Sequence, residues 1–359
     1  MEKLSLDFIK TNSNNYLEEI ECLIKKNEAT IEAGNLEPFE RISSNLWECL
    51  MLLAFKYLEN DDIKNHYLIS KILYNNYDKI IKDKSINVAL AKFHFAKSQK
   101  DYNSNFSLSL NLFNESLELV KSLGEAKTQI GLTIKFYLGT LYDDMGMYDE
   151  SVEVLLDVLQ NQIQIFSNEE NIFVARTYNC LGIAEDNRGN MRPAREYYQK
   201  AYRIFKVFSY GIETVDSAKV LNNLAGIYYR WEDFTTSLKL YKIVLDVYEK
   251  KFGNSNNYVA ITYNNIGNCY QMLGDNKKAL FYLNKALENF CELFGQSHPQ
   301  TAMTYKNLGD LYLNINEKKK ALEMFDACIN VFKDKYGEDN DIYLSTLGKI
   351  RKLKIGNNI

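Results

Sequence analysis

Apolar side chains along residues 125–340 follow two nested periods. Over short stretches they recur at intervals of three and four, which puts them on one face of a helix. Over longer distances the whole pattern returns every 42 or 43 residues. Gly139, Gly182, Ala225, Gly267 and Gly309 mark it, each preceded by Leu or Ile (Leu138, Leu181, Leu224, Ile266, Leu308). Four residues before the marker lies an aromatic or long apolar side chain in most units (Tyr178, Leu221, Tyr263, Tyr305). A tyrosine follows three later in four of the five (Tyr142, Tyr228, Tyr270, Tyr312). Twelve residues on comes a small side chain (Ser151, Ala194, Ser237, Ala279, Ala321), and four further a large one (Leu155, Tyr198, Tyr241, Leu283, Phe325).

With the marker numbered 8, positions 4, 7, 8 and 11 share one face of a first helix, and 20, 24 and 27 one face of a second. Small residues at 8 and 20 let the two helices approach closely. A glycine inside a helix costs about 1 kcal/mol relative to alanine, so four glycines at position 8 require a packing reason. Position 15 (Gly146, Gly189, Gly274) is the turn between the helices. Gly211, Gly253, Gly295 and Gly337, 42 apart and each preceded by an aromatic residue, close the second helices in the left-handed conformation. The pattern predicts an all-α chain with five helix pairs over 125–340.

The flanks fit the same scheme. Residues 84–124 form a degenerate pair, with helices around Ala89–Phe93 and Leu108–Val120 and a turn at 101–105. Residues 1–83 form an N-terminal helical bundle of three to four helices, broken near 33–38 and 60–62, with Trp47, Leu50, Leu53 and Ala54 as an apolar stripe. Residues 341–359 make a C-terminal capping helix: Leu347 and Ile350 fall at positions 4 and 7, and Lys349, Arg351, Lys352 and Lys354 solvate its outer side.

This repeat resembles the tetratricopeptide repeat (TPR). Leu221-Asn222-Asn223-Leu224-Ala225 and Phe294-Gly295-Gln296-Ser297-His298-Pro299 are similar to the 42-residue variety found in kinesin light chains. The resemblance implies a right-handed superhelix, an α-solenoid, whose first helices line a concave surface. Four positions depart from the pattern: Glu185 stands where Tyr belongs, Val158 and Val244 replace small residues, and Lys135 is polar where an apolar side chain belongs.

Composition narrows the function. With 46% hydrophobic and 25% charged residues the chain is that of a folded, soluble protein, and only 3 prolines interrupt it. A net charge of −4 lacks the basic stripe of a nucleic-acid surface. No apolar run approaches the ~18 residues of a membrane span. No signal peptide precedes the repeats, so a cytoplasmic location is expected. Six scattered cysteines, none at CxxC spacing, fit reduced thiols. No phosphate-cradling glycine motif occurs, and Asp143-Asp144 and Glu169-Glu170 fit solvated caps. His66, His94 and His298 are far apart in sequence and in different units, so no metal cluster, cofactor or catalytic residue is expected. His298 belongs to an inter-repeat turn.

The resemblance implies that positions 2, 5, 6, 9, 12 and 13 face the groove. They are Arg176, Asn179 and Asp186; Lys219, Asn222, Asn223, Tyr229 and Arg230; Asn264, Asn265, Asn268 and Gln271; and Lys306, Asn307 and Asp310. An asparagine amide both donates and accepts, so a ladder of them suits the backbone of an extended peptide whatever its side chains. The competing reading is that asparagine is common in this chain and falls here by composition. The TPR clamp for chaperone C-terminal carboxylates is matched only by Asn264, Asn268 and Asn307, since its first position lacks Lys and the next unit supplies Ser345 and Lys349. The expectation is a non-catalytic protein- or peptide-binding scaffold or receptor. The rival is a bacterial Rap-type regulator, which the layout also resembles and which sequesters or dephosphorylates a response regulator under peptide control. Some Rap proteins use a glutamine of the N-terminal bundle for dephosphorylation; here the first glutamine is Gln99. The partner's identity and the oligomeric state are not legible.

Overall fold

The computed structural model describes residues 20–22, 24–33, 44–80 and 85–355. Every regular element among them is helical, and the chain divides into two compact units, 1–169 and 170–359.

The first unit contains α1 (Glu28–Glu32), α2 (Ser44–Glu59), α3 (Ile63–Ile80), α4 (Ile86–Asn103), α5 (Phe106–Ser122), α6 (Gln129–Asp144) and α7 (Tyr148–Phe166). Its core joins the stripe Trp47, Leu50, Leu53 and Ala54 to Leu68, Ile72, Phe93 and Phe113. The break expected near 60–62 is real, with Asp61 at φ 55° between α2 and α3. The one expected near 33–38 falls almost wholly outside the described residues. α4 and α5 reproduce the repeat with one added turn residue, Ser104, at φ 52°. The Ser109 hydroxyl of α5 donates to the Ala96 carbonyl of α4 at 2.6 Å, across the closest approach of the pair.

The second unit contains first helices α8 (Ile172–Asn187), α10 (Val215–Arg230), α12 (Asn257–Met272) and α14 (Pro299–Asn314). These alternate with second helices α9 (Met191–Phe208), α11 (Phe234–Phe252), α13 (Asn276–Phe294) and α15 (Lys318–Tyr336), and α16 (Asp341–Ile355) follows. Each pair interlocks as the spacing predicts. A methyl group added at Gly267 would lie 2.7 Å from Cγ of Leu283, and one at Gly182 or Gly309 would lie 2.5 Å from the ring of Tyr198 or Phe325. Position 8 is therefore small because position 24 fills the space above it. In the α10–α11 pair, where Ala225 faces Tyr241, the Ser237 hydroxyl donates to the Ala225 carbonyl at 2.9 Å.

Capping residues set the helix starts. Asn171, Asp233, Asn256 and Asp275 accept from backbone N–H groups of the first turns, and Thr214 forms a reciprocal capping box with Ser217. His298 accepts from the Gln300 N–H and stacks its own ring on Phe294 at 4.4 Å, with Pro299 in the first turn. The helix-closing glycines hold a surprise. Gly253, Gly295 and Gly337 have positive φ (76°, 83° and 84°) but ψ of −178°, 170° and 177°. That is the extended positive-φ region open essentially to glycine alone, not the left-handed helical cap expected. It turns the chain straight into the next first helix. At the fourth site α9 ends earlier, at Phe208, and Tyr210 itself takes φ 52° and is 96% exposed.

On α16, Ile350 and Leu353 pack against Ala321 and Phe325 of α15, while Arg351, Lys352 and Lys354 are exposed. It is apolar on the side that meets α15 and cationic on the other.

Candidate functional site

In the second unit the groove positions of neighbouring first helices lie side by side, and two asparagine pairs and one ion pair join them across the repeats. Nδ2 of Asn223 on α10 donates to Oδ1 of Asn179 on α8 at 3.3 Å. One repeat pair further on, Nδ2 of Asn307 on α14 donates to Oδ1 of Asn264 on α12 at 2.9 Å. The rule is position 6 of one repeat to position 5 of the repeat before it. Asn222 and Asn265 occupy the same relation between α10 and α12, yet among the described residues no such bond joins them. Oδ1 of Asn222 is enclosed with no donor. All six asparagines, and Asn268 with them, are half-buried.

The charges follow a similar logic. Arg230 reaches back to Asp186, Arg176 lies 3.6 Å from Asp216, and Asp310 receives both Lys306, at 3.5 Å, and Lys349 from α16. Lys219 sits over the Tyr258 ring, 5.7 Å from its centre. The α12 stretch of this face, Ile261, Asn264, Asn265, Asn268, Gln271 and Met272, carries no charge at all. Exposed ion pairs of this kind contribute only about 0–1 kcal/mol each. Their effect is to match charge along the face rather than to hold the fold together.

Tyr229 departs from expectation. Its ring meets Phe234 edge-on at 5.2 Å and packs on the core of its own helix pair, and burial pushes its phenol pKa up. It is a hairpin residue more than a groove residue. The sequence pattern named the cations of this face but not all their partners, since Asp216 precedes the repeat register and Lys349 belongs to the cap.

One cluster was missed. His66 on α3 and His94 on α4, judged too distant in sequence to meet, are both buried, with Nε2 of His66 3.0 Å from Nδ1 of His94. Among the described residues no three His, Cys, Asp or Glu side chains come together as a metal site, and no helix is long and apolar enough to cross a membrane.

Tetratricopeptide-repeat family models match residues 174–206, 216–292 and 304–335, and no curated protein matches in sequence. Among solved structures, RapI in its apo form is 14% identical, with 87% of each chain covered and a TM-score of 0.62. A Rap protein complexed with competence and sporulation factor is 13% identical, covering 87% of this chain and 88% of that one at a TM-score of 0.60. BtubC (BKLC) from P. vanneervenii is 21% identical over 70% of this chain and 91% of its own, at 0.50. At these identities the likeness is one of fold. The matched stretches are the α8–α15 pairs whose position 8 and position 24 side chains interlock, and these stretches are tetratricopeptide repeats.

Proposed function

We propose that the second unit is a non-catalytic receptor that holds an extended segment of another polypeptide across the face formed by α8, α10, α12 and α14. The observation that carries this reading is the run of half-buried asparagines at positions 5 and 6 of consecutive first helices, Asn179, Asn222, Asn223, Asn264, Asn265 and Asn307. An extended peptide laid on such a face loses water from its own amides, and each must find a substitute. A hydrogen bond nets about 0.5–1.5 kcal/mol, whereas a buried amide left without one costs about 1–3 kcal/mol. A ladder of side-chain amides meets that need without reference to the peptide's sequence. Arg176, Lys219, Arg230, Asn268 and Lys306 border the ladder and orient the segment. Capture from lysate followed by mass spectrometry, run in parallel on the wild type and on Asn222→Ala/Asn264→Ala/Asn265→Ala, tests it. The true partner is held by the first and lost from the second, which remains folded. A partner set that does not differ between the two contradicts the reading.

The likeness to Rap proteins over 87% of the chain favours a second reading, a signalling regulator that sequesters a response regulator under peptide control. Gln99 lies on α4, buried and bonded to Asn103, and residues 1–83 contain no glutamine. Sequestration therefore fits better than dephosphorylation. A phosphorylated response regulator mixed with the protein is expected to lose phosphate only at its spontaneous rate. Catalysed loss, abolished by a substitution within 1–83, would make the protein an enzyme.

A further inference from the structure

The turn between α9 and α10 breaks a pattern that the later inter-repeat turns share. Where Phe252, Phe294 and Tyr336 precede their glycines, each ring lies against another: Phe252 on Tyr258 at 5.6 Å, Phe294 on His298 at 4.4 Å and Tyr336 on Phe332 at 5.7 Å. Tyr210 holds the same place with no ring beside it among the described residues, at φ 52° and 96% exposed. Around it Val207, Phe208 and Ile212 are exposed by 53%, 47% and 69%. Four large apolar side chains thus stand in water together, the kind of patch that marks a contact surface.

The turn is firmly built. The N–H groups of Ser209, Tyr210, Gly211 and Ile212 all find backbone carbonyls. The Ser209 hydroxyl donates to the Ile212 carbonyl, and Lys206 bonds the Gly211 carbonyl and, at 2.8 Å, Glu213. Glu213 in turn accepts from Tyr202 at 2.7 Å and Ser217 at 2.9 Å. A left-handed conformation is unfavourable for tyrosine, and this bracing holds it there with the ring outside the core.

The charge around the turn is equally particular. In a chain of net charge −4, α9 carries Arg192, Arg195, Lys200, Arg203 and Lys206 against a single carboxylate, Glu196. Arg203 lies one helical turn before Val207, and Lys200 about one turn before that. Both are exposed, Lys200 leans over the Tyr178 ring, and neither meets a carboxylate among the described residues. At the corresponding end of α11, Lys251 is exposed beside Lys250, which takes Asp246.

We infer that this turn and the end of α9 dock on an anionic lipid bilayer, lying on its surface without spanning it. Val207, Phe208, Tyr210 and Ile212 enter the boundary between headgroups and acyl chains, and Lys200 and Arg203 meet lipid phosphates. An apolar contact alone attaches a protein only marginally, and a basic patch beside it supplies the second signal. That electrostatic part acts on an anionic leaflet and fades within a Debye length. A tyrosine, with an apolar ring and a polar tip, suits the interface. The shape favours a bilayer over a protein. Val207 lies in line with Arg203, Phe208 a further step round the helix, and Tyr210 and Ile212 beyond its end, so the apolar side chains spread over a convex knob. A fluid headgroup layer closes round such a knob, whereas a protein would need a matching pocket.

The test is flotation of the full chain with vesicles of phosphatidylcholine alone, or of phosphatidylcholine with an equal part of phosphatidylglycerol, at about 0.1 M and about 0.5 M salt. The wild type is expected to bind the anionic vesicles at the lower salt, to release them at the higher, and to ignore the neutral ones. Tyr210→Ser/Ile212→Ser and Lys200→Glu/Arg203→Glu should each weaken binding at least about tenfold at unchanged melting temperature. The charge-matched control Lys239→Glu/Lys319→Glu, on exposed positions of α11 and α15, should stay within about threefold of wild type. Tyr210→Trp reports depth, since its added fluorescence should be quenched by lipid brominated along the acyl chains. Asn222→Ala/Asn264→Ala/Asn265→Ala should float like wild type, which separates this surface from the peptide groove. No flotation with either vesicle, equal binding to both, binding indifferent to the Tyr210 and Lys200 variants, or equal loss in the control would each overturn the inference. So would a lysate protein held by the wild type and lost from the Tyr210→Ser/Ile212→Ser variant when neither vesicle is bound, which would make the turn a protein-docking knob.

Discussion

At the scale of single residues, the repeat is an agreement between a space and the side chain that fills it. Gly267 is small because Leu283 sits where its Cβ would be, and that relation was readable from the sequence, since position 8 is small and position 24 large in all five units. Gly267→Leu is expected to destabilise by at least about 1–3 kcal/mol through overpacking, seen as a fall in melting temperature; an unchanged melting temperature would mean the register is wrong. Position 15 obeys a different rule. Around Gly146, Gly189 and Gly274 there is open space, so backbone conformation and not room selects glycine there. In the remaining two units Glu232 and Asn316 hold the same place at φ 63°, a conformation that costs a side chain such as Glu about 1 kcal/mol or more. Glu232→Gly is therefore expected to raise stability by about 0.5–1 kcal/mol, and Gly274→Glu to lower it by a similar amount, measured by thermal or urea unfolding. The irregular Glu185 finds its reason only in the structure. Its carboxylate takes Arg188 at 3.1 Å and the Asn190 amide at 2.7 Å, tying down the turn that a tyrosine would have covered.

Between elements, legibility drops. Helix starts were set by local chemistry, as at Thr214 and His298, and their signals lie within a few residues. The ψ of Gly253, Gly295 and Gly337 was not legible, because a glycine's identity permits both positive-φ conformations and only the direction of the following helix selects one. The meeting of His66 and His94 was not legible for a related reason. It depends on how α3 rolls against α4, which the apolar pattern fixes only to within a face. Its consequence is a pH dependence in the first unit. Burial holds His66 down to about 3, with Lys97 lowering it further and Asp62 opposing. His94 is pushed well below the ordinary histidine value, by burial first and then by His66. Both are neutral in the fold, whereas the unfolded chain takes up protons near the ordinary value of about 6.5. The contribution is fully present above pH 6.5 and is lost as the pH falls toward 3. Hydrogen exchange, corrected for intrinsic rates, should show protection of α3 and α4 falling between pH 7 and pH 5 more than that of α12 and α13. Replacing both histidines by glutamine should flatten that slope. Equal slopes in the two regions would contradict it.

For the whole molecule, the argument concerns which surface works. The sequence placed Asn222, Asn264 and Asn265 on the first helices, and the structure puts them on a common face of the second unit. Which asparagines would spend their amides on each other was not legible, since that depends on the offset between adjacent repeats, set by packing deep beneath them at Leu221, Tyr263 and Ile266. The second helices carry no comparable ladder; Lys239, Glu288 and Glu323 are exposed there. The most direct measurement is calorimetry of an identified partner on two variants, Asn222→Ala/Asn264→Ala/Asn265→Ala and Lys239→Ala/Glu288→Ala/Glu323→Ala. The account predicts at least about tenfold weaker binding in the first and wild-type affinity in the second. Wild-type binding by the asparagine variant, with loss in the other, would put the working surface on the second helices and contradict it.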